Sequence, residues 1–120
     1  MSCVTREIVL PVPRERAWEL VTDEDELREW LADDVELEPE EGAPLRVAWD
    51  TGEAREGVVE EVDERRRLRF RWGESRVEWR LDDDPGGTRF TVTEHRVAHD
   101  SIVWGPKLMA LAATAALCPA

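Results

Sequence analysis

The sequence has no tyrosine, a single lysine and only two cysteines among its 120 residues. The cysteines, Cys3 and Cys118, lie near opposite ends of the chain. They could form one terminus-to-terminus disulfide, but two free thiols are the expectation for a cytosolic protein. No apolar stretch approaches the roughly 20 residues that a membrane-spanning helix needs. Charges at Arg6 and Glu7 come too early for a secretory signal peptide, so we expect a cytoplasmic protein.

Positive charge is also scarce, because 28 acidic residues outweigh 16 basic ones and leave a net charge of −12. A nucleic-acid backbone needs a Lys/Arg face that displaces its counterions, and an anionic membrane needs one too. We therefore expect neither nucleic acid nor a membrane as partner. What the sequence does have is six tryptophans. Each can bury on the order of 200 Å², so together they must fill the core or line a pocket.

The first third of the sequence predicts one strand and two short helices. Residues 4–10 alternate as a strand, and Pro13 suits the first turn of a helix, where its missing N–H costs nothing. A second helix follows, with apolar residues on one face. Thr22 or Asp23 can cap this second helix, and an acidic residue at 25 or 26 can complete a capping box.

From residue 34 to residue 96 the apolar period is two, which is typical of antiparallel strands with one solvated face. A change of phase near Glu60 and Glu61 indicates a β-bulge. The Ala- and Leu-rich stretch from Pro106 to Leu117 predicts a final helix that covers the apolar side of the sheet. The sequence thus predicts a single α+β domain over residues 1–120. A curved antiparallel sheet of six or seven strands surrounds the C-terminal helix.

Three stretches carry a family likeness: IVLPVPRERAWELVTDEDELREWL, GVVEEVDERRRLRFRW and VEWRLDDDPGGTRFTVTEH. Their order and spacing resemble the START-like (SRPBCC) superfamily, in its branch similar to the C-terminal domain of the Hsp90 ATPase activator Aha1. The resemblance implies a helix-grip fold, often with a hydrophobic cavity between sheet and helix. Two features depart from the family. The C-terminal helix ends early, near Leu117, which could leave the cavity open, and the turn at 63–65 lacks the prolines that relatives often carry.

Aromatic residues on the inward phase of the strands are candidates to line that cavity, with residues of the helices. The candidate ligand-binding residues are Trp30, Trp49, Phe70, Trp72, Trp79, Glu94, Trp104, Leu108 and Leu111. An apolar pocket with a few polar groups is the usual form of a small-molecule site. The alternative is that the large rings simply fill the core.

Glu94 is the candidate polar group, because it continues the inward phase of Phe90 and Val92. A carboxylate there would be desolvated. It could orient a ligand hydroxyl or amine, or act as a general base. Alternatively, it reaches water or an arginine at the strand end. His95 and His99 lie where a strand runs into a loop, with no third ligand nearby, so we expect neither a metal site nor a cofactor.

Two charged runs have structural explanations. The arginines at alternate positions of the segment 65–71 should face solvent, where Glu61 and Glu78 on neighbouring strands can pair with them. The acidic run 82–84 precedes a Pro-Gly-Gly sequence and resembles a hairpin tip, since it lacks the spaced ligands of a calcium loop.

Three functions remain in competition. A non-enzymatic domain that holds a small hydrophobic or aromatic molecule is favoured by the apolar period of two, the inward tryptophans and the family resemblance. A protein-interaction role of the co-chaperone kind is supported only by the resemblance. A cyclase or hydrolase would use Glu94 and a histidine as acid and base. A monomer and a homodimer formed through an exposed strand both remain open, since an open sheet leaves unpaired edges.

Overall fold

The computed structural model describes residues 2–96 and 108–112 and shows the predicted α+β architecture. The strands are β1 (Ser2–Leu10), β2 (Asp34–Leu37), β3 (Pro44–Ala48), β4 (Ala54–Asp63), β5 (Arg67–Trp72), β6 (Ser75–Asp84) and β7 (Gly87–Arg96). The helices are α1 (Arg14–Thr22), α2 (Glu24–Trp30) and a short segment, α3, over residues 108–112. The remainder of the predicted C-terminal helix lies outside the described residues.

The two N-terminal helices follow each other in tandem, as predicted, and share one junction. Asp23 Oδ1 accepts hydrogen bonds from the backbone N–H groups of Asp25 at 2.9 Å and Glu26 at 3.2 Å, which confirms Asp23 as the cap of α2. The reciprocal half of a capping box does not form. The Glu26 carboxylate instead accepts from Arg16 on α1 at 3.3 Å, and the Asp23 N–H donates to Glu19 O at 2.9 Å. The Arg16–Glu26 ion pair and the hydrogen bond from the Asp23 N–H therefore connect α1 to α2.

The seven strands form one antiparallel sheet in the order β1-β7-β6-β5-β4-β3-β2. Each strand from β2 to β7 pairs with its neighbour in the sequence, and β1 joins the far side of β7. The predicted bulge is confirmed, because the register between β4 and β5 shifts between Val59 and Glu61. Gly57 lies opposite Trp72, and a Cβ added to Gly57 would stand 1.6 Å from Arg71 O. At this point the two backbones approach too closely for any side chain.

The core lies on the concave side of this curved sheet, beneath α1, α2 and α3. Burial alternates along β2, β3, β5 and β6 as the period of two predicts. From α3, Leu108 and Leu111 belong to the same apolar cluster as the inward residues of the strands. The helix-grip arrangement is thus present over the described residues, with one face of the sheet in the core and the other in solvent.

Candidate functional site: an aromatic core face with a buried carboxylate

Five aromatic rings form a continuous cluster on the core face of the sheet. Phe70 is central, with ring centroids 4.9 Å from Trp72 and 5.0 Å from Trp79, both in edge-to-face geometry. Trp79 in turn lies 5.5 Å from Trp30 and 5.8 Å from Phe90. These separations are those at which aromatic pairs attract beyond their area burial. All five side chains are buried.

The strand register explains why these rings meet. Phe70 and Trp72 are two apart on β5, so both point to the core face, and their cross-strand partners on β6 are Val77 and Ser75. Trp79 follows Val77 by two residues and faces the same way. Trp30 reaches the cluster from α2, and its indole N–H donates to Leu20 O at 2.9 Å. One apolar helix residue therefore completes a cluster that the sheet begins.

Glu94 lies on the same core face and has 0% of its surface exposed. Its cross-strand partners are Val77 on β6 and Val4 on β1, so the carboxylate is flanked by aliphatic side chains. Within the described residues it is the one charged side chain that is fully buried. The structure therefore shows the inward phase predicted for Glu94. Its burial excludes contact with bulk water, whereas the expectation of an arginine partner stays a prediction. Ser75, also buried, lies diagonally from Glu94, at ~7–8 Å by strand geometry.

Arg55 is a charged neighbour of the cluster that sequence reasoning missed. It is half-buried on β4, and its guanidinium carbon lies 5.6 Å above the ring of Trp72, within cation–π distance. Arg55 shares the inward phase of Gly57 and Val59, two residues apart along β4. In the sequence, the inward position of Arg55 was indicated only by the ambiguous phase of the apolar residues of β4 ahead of the bulge.

The remaining candidates have different positions. Trp49 follows the end of β3 and is half-buried against the core, with its indole N–H donating to Leu31 O at 3.0 Å. Leu108 and Leu111 are buried on α3. Trp104 lies outside the described residues. The structure thus brings Trp30, Phe70, Trp72 and Trp79 into one cluster, places Glu94 on the same face, and leaves Trp49 at its margin.

The solvent face of the sheet carries the predicted ladder of charge pairs. Arg67 and Arg69 both donate to the Glu61 carboxylate, Arg69 at 3.0 Å, and Arg67 also lies 3.9 Å from Glu78. The hydrogen bond from Arg69 and the nearby charge of Arg67 lower the pKa of Glu61. A groove of about 750 Å³ runs over this face between β4 and β7. Its lining is mixed in charge, so the arginine run belongs to an ion-pair network.

The described members of the histidine, cysteine and acidic motifs lie at separate places on the sheet. His95 is exposed on the outer face of β7, and His99 lies outside the described residues. Cys3 is an exposed free thiol, and Cys118 likewise falls outside the described part. The described residues contain no group of three or more His, Cys, Asp or Glu side chains that could hold a metal ion. The acidic run at 82–84 ends β6 at the predicted hairpin.

The chain is similar to known proteins over most of its length. Residues 11–104 match the family model described as Activator of Hsp90 ATPase homolog 1-like protein. The chain belongs to this family. No curated protein matches the sequence. No helix within the described ranges is long and apolar enough to cross a membrane.

Solved structures of Hsp90-activator-like and related proteins share the fold at low identity. Protein MLL2253 from Mesorhizobium loti has a TM-score of 0.90 at 19% identity, with 99% of this chain and 100% of that one covered. The AHSA1-like protein from Aeromonas hydrophila has a TM-score of 0.82 at 18% identity, with 97% and 93% covered. DynU16, a protein in the dynemicin biosynthetic locus, has a TM-score of 0.82 at 27% identity, with 94% of this chain but only 46% of DynU16 covered. These likenesses establish the START-like fold of the family member described here.

Proposed function

We propose that this member of the Hsp90-activator-like family is a binding domain for a small hydrophobic or aromatic molecule. The ligand would lie between the core face of the sheet and the C-terminal helix, against Phe70, Trp72 and Trp79. A hydrogen-bond donor on the ligand, such as a hydroxyl or amine, would face Glu94. The observation that carries this proposal is the fully buried carboxylate of Glu94 on the same core face as the aromatic cluster.

The chemistry of this face supports a ligand that is mostly apolar with one polar group. Flat aromatic surface favours rings and hydrocarbon, and the few polar atoms fix the orientation of the bound molecule. The buried side chains that carry polar atoms on this face include Glu94, Ser75 and the indoles of Trp72 and Trp79. The likeness to DynU16, from a biosynthetic locus, is compatible with a small-molecule ligand.

The test is a titration with a matched pair of probes, 4-tert-butylphenol and 4-tert-butylanisole, which differ in their hydroxyl donor. Tryptophan emission, excited selectively, reports binding, and the melting temperature is read in parallel. A probe present at 100 times its Kd adds about 2.7 kcal/mol to the free energy of unfolding. We expect saturable binding of both probes. The phenol should bind about tenfold or more tightly than the anisole, because a hydrogen bond to a charged group contributes about 1.5–3 kcal/mol.

Two variants locate the site. Glu94→Gln should shrink the preference for the phenol, since a neutral amide accepts a weaker hydrogen bond than a carboxylate. Glu78→Gln is the matched control, because Glu78 lies on the solvent face of β6 and should leave the preference unchanged. Absence of any saturable response to either probe would count against a binding domain and turn attention to a protein partner. Equal affinities of the two probes would contradict the proposed hydrogen bond from the ligand to Glu94.

A further inference from the structure

The polar and charged side chains that are buried in the described part of the chain are Thr22, Ser75, Thr88 and Glu94. The two threonines have structural partners. The Thr22 hydroxyl donates to Trp18 O at 2.6 Å, and the Thr88 hydroxyl donates to Val12 O at 2.9 Å. Both hydroxyls are therefore satisfied by backbone carbonyls within the protein, as buried polar groups generally are.

Ser75 differs from the two threonines. It keeps only 7% of its surface exposed, yet its hydroxyl makes no hydrogen bond within the residues that the structure describes. Ser75 begins β6 and has the inward phase that Val77 and Trp79 continue, so its side chain points to the core face. An unpaired buried hydroxyl is destabilising, and an apolar residue would fill the position without that penalty. Ser75 therefore offers a hydrogen-bond donor that the described fold does not use.

Ser75 lies between the aromatic cluster and Glu94. Its cross-strand partner on β5 is Trp72, whose ring belongs to the aromatic cluster. Glu94 lies diagonally across on β7, because its own cross-strand partner, Val77, is two residues along β6 from Ser75. Diagonal neighbours of this kind are separated by ~7–8 Å, so a single ring placed against Trp72 can reach both side chains.

We propose that Ser75 contacts the ligand and that its hydroxyl donates a hydrogen bond to a carbonyl oxygen of the bound molecule. The assignment rests on the proposed function, since Ser75 lies in the same site, and it narrows the class of ligand. An ionised carboxylate only accepts hydrogen bonds, whereas a serine hydroxyl can donate one. The ligand therefore carries a donor that faces Glu94 and, on the same ring system, an acceptor that faces Ser75. A hydroxyaryl ketone has this pattern.

The experiment compares 3-hydroxybenzophenone with 3-benzylphenol by isothermal titration calorimetry. The two probes share the phenol and both rings, and they differ only where the carbonyl of the ketone is replaced by a methylene group. The meta arrangement keeps the hydroxyl and the carbonyl from bonding to each other. We expect the wild-type protein to bind the ketone roughly fivefold more tightly, which is the contribution of one neutral hydrogen bond.

A pair of variants tests whether Ser75 makes this contact. Ser75→Ala removes the hydroxyl and should reduce the ratio of the two affinities to about one. Thr93→Val is the matched control, because it removes a hydroxyl from the outer face of β7, where Thr93 lies opposite Glu78. This control should keep the preference of the wild type for the ketone.

The melting temperature of the ligand-free protein gives an independent readout. Because the Ser75 hydroxyl has no hydrogen-bond partner among the described residues, Ser75→Ala should melt at the temperature of the wild type or above it. A fall of about 4 °C or more would correspond to the loss of a structural hydrogen bond and would overturn the proposal.

The binding data can also overturn it. Equal affinities of the two probes for the wild type, or a preference for the ketone that survives in Ser75→Ala, would contradict the contact. A preference lost equally in Ser75→Ala and Thr93→Val would show a general effect of hydroxyl removal and would do the same. If neither probe binds but 4-tert-butylphenol does, the binding domain stands and the role of Ser75 is wrong. If 4-tert-butylphenol also fails to bind, the proposed function is wrong and the role of Ser75 with it.

Discussion

Among the described glycines, Gly57 leaves the least room for a side chain, and this makes Gly57→Ala an informative substitution for stability. An alanine Cβ would stand 1.6 Å from Arg71 O, 2.5 Å from Arg71 C and 2.7 Å from the Cα of Trp72, whereas real Cβ contacts are essentially never shorter than 3.0 Å. The obstacle is backbone, which cannot swing aside as a side chain can. Strands β4 and β5 must therefore separate by more than 1 Å around this position.

The loss of folding free energy follows from the hydrogen bonds between β4 and β5 that this separation breaks. A displacement of more than ~1 Å takes a ladder hydrogen bond of ~2.9 Å beyond hydrogen-bond distance. Two or three bonds lost at about 1 kcal/mol each, with disturbed packing of the buried Trp72, amount to about 3–5 kcal/mol. For a domain of this size we expect the melting temperature to fall by at least about 10 °C.

Guanidinium chloride unfolding, followed by tryptophan fluorescence, measures this loss. Gly86→Ala is the control, because a Cβ at Gly86 meets no backbone and only two side-chain atoms, Cγ1 of Val9 at 3.3 Å and Oδ2 of Asp84 at 3.4 Å. That variant should change the free energy of unfolding by less than about 1 kcal/mol. A Gly57→Ala protein within about 1 kcal/mol of wild type would refute the close approach of β4 and β5.

Two further predictions concern local contacts. Asp23→Ala should lower the free energy of unfolding by about 1 kcal/mol, because it removes the cap of α2; an unchanged denaturation midpoint would show the cap to be dispensable. The lowered pKa of Glu61, caused by the hydrogen bond from Arg69 and the charge of Arg67, means that the ionised carboxylate stabilises the folded state at neutral pH. That contribution is lost as the pH falls below the ordinary value of 4.5 towards the lower folded-state pKa, so Glu61→Gln should show a shallower fall in melting temperature between about pH 5 and pH 3. Glu74→Gln, an exposed control, should show the same fall in melting temperature with pH as wild type. If the melting temperatures of Glu61→Gln and Glu74→Gln fall identically over this pH range, this role of Glu61 is contradicted.

Some of the candidate site was predictable because burial in a strand follows a local period. Phe70, Trp72 and Trp79 alternate with arginines and a glutamate, so their inward direction needed only the neighbouring residues. Glu94 followed from the phase of Phe90 and Val92 in the same way. The bulge at Glu60 was visible as a break in that phase.

Other parts of the site were not predictable, because they depend on contacts between distant elements. Arg55 reaches Trp72 only through the pairing of β4 with β5, and its charge favoured a solvent-facing position. Trp49 would have continued the inward row of β3, but the strand ends one residue earlier and the indole instead contacts Leu31. The expected partner of Asp23 in a capping box was instead bound by Arg16 from the preceding helix.

The amino-acid pattern by itself determined the class of each element and the face of each strand, since both depend on residues a few positions apart. Only the tertiary structure decided which rows of side chains meet across the sheet, because the register of each strand pair is set jointly by turns, a bulge and the close approach at Gly57. It also decided that α2 lies along the β2 edge of the sheet, where Arg28 and Glu24 bond to the β2 backbone, since that contact depends on where a helix packs. A period in the sequence carries no information about which helix contacts which strand.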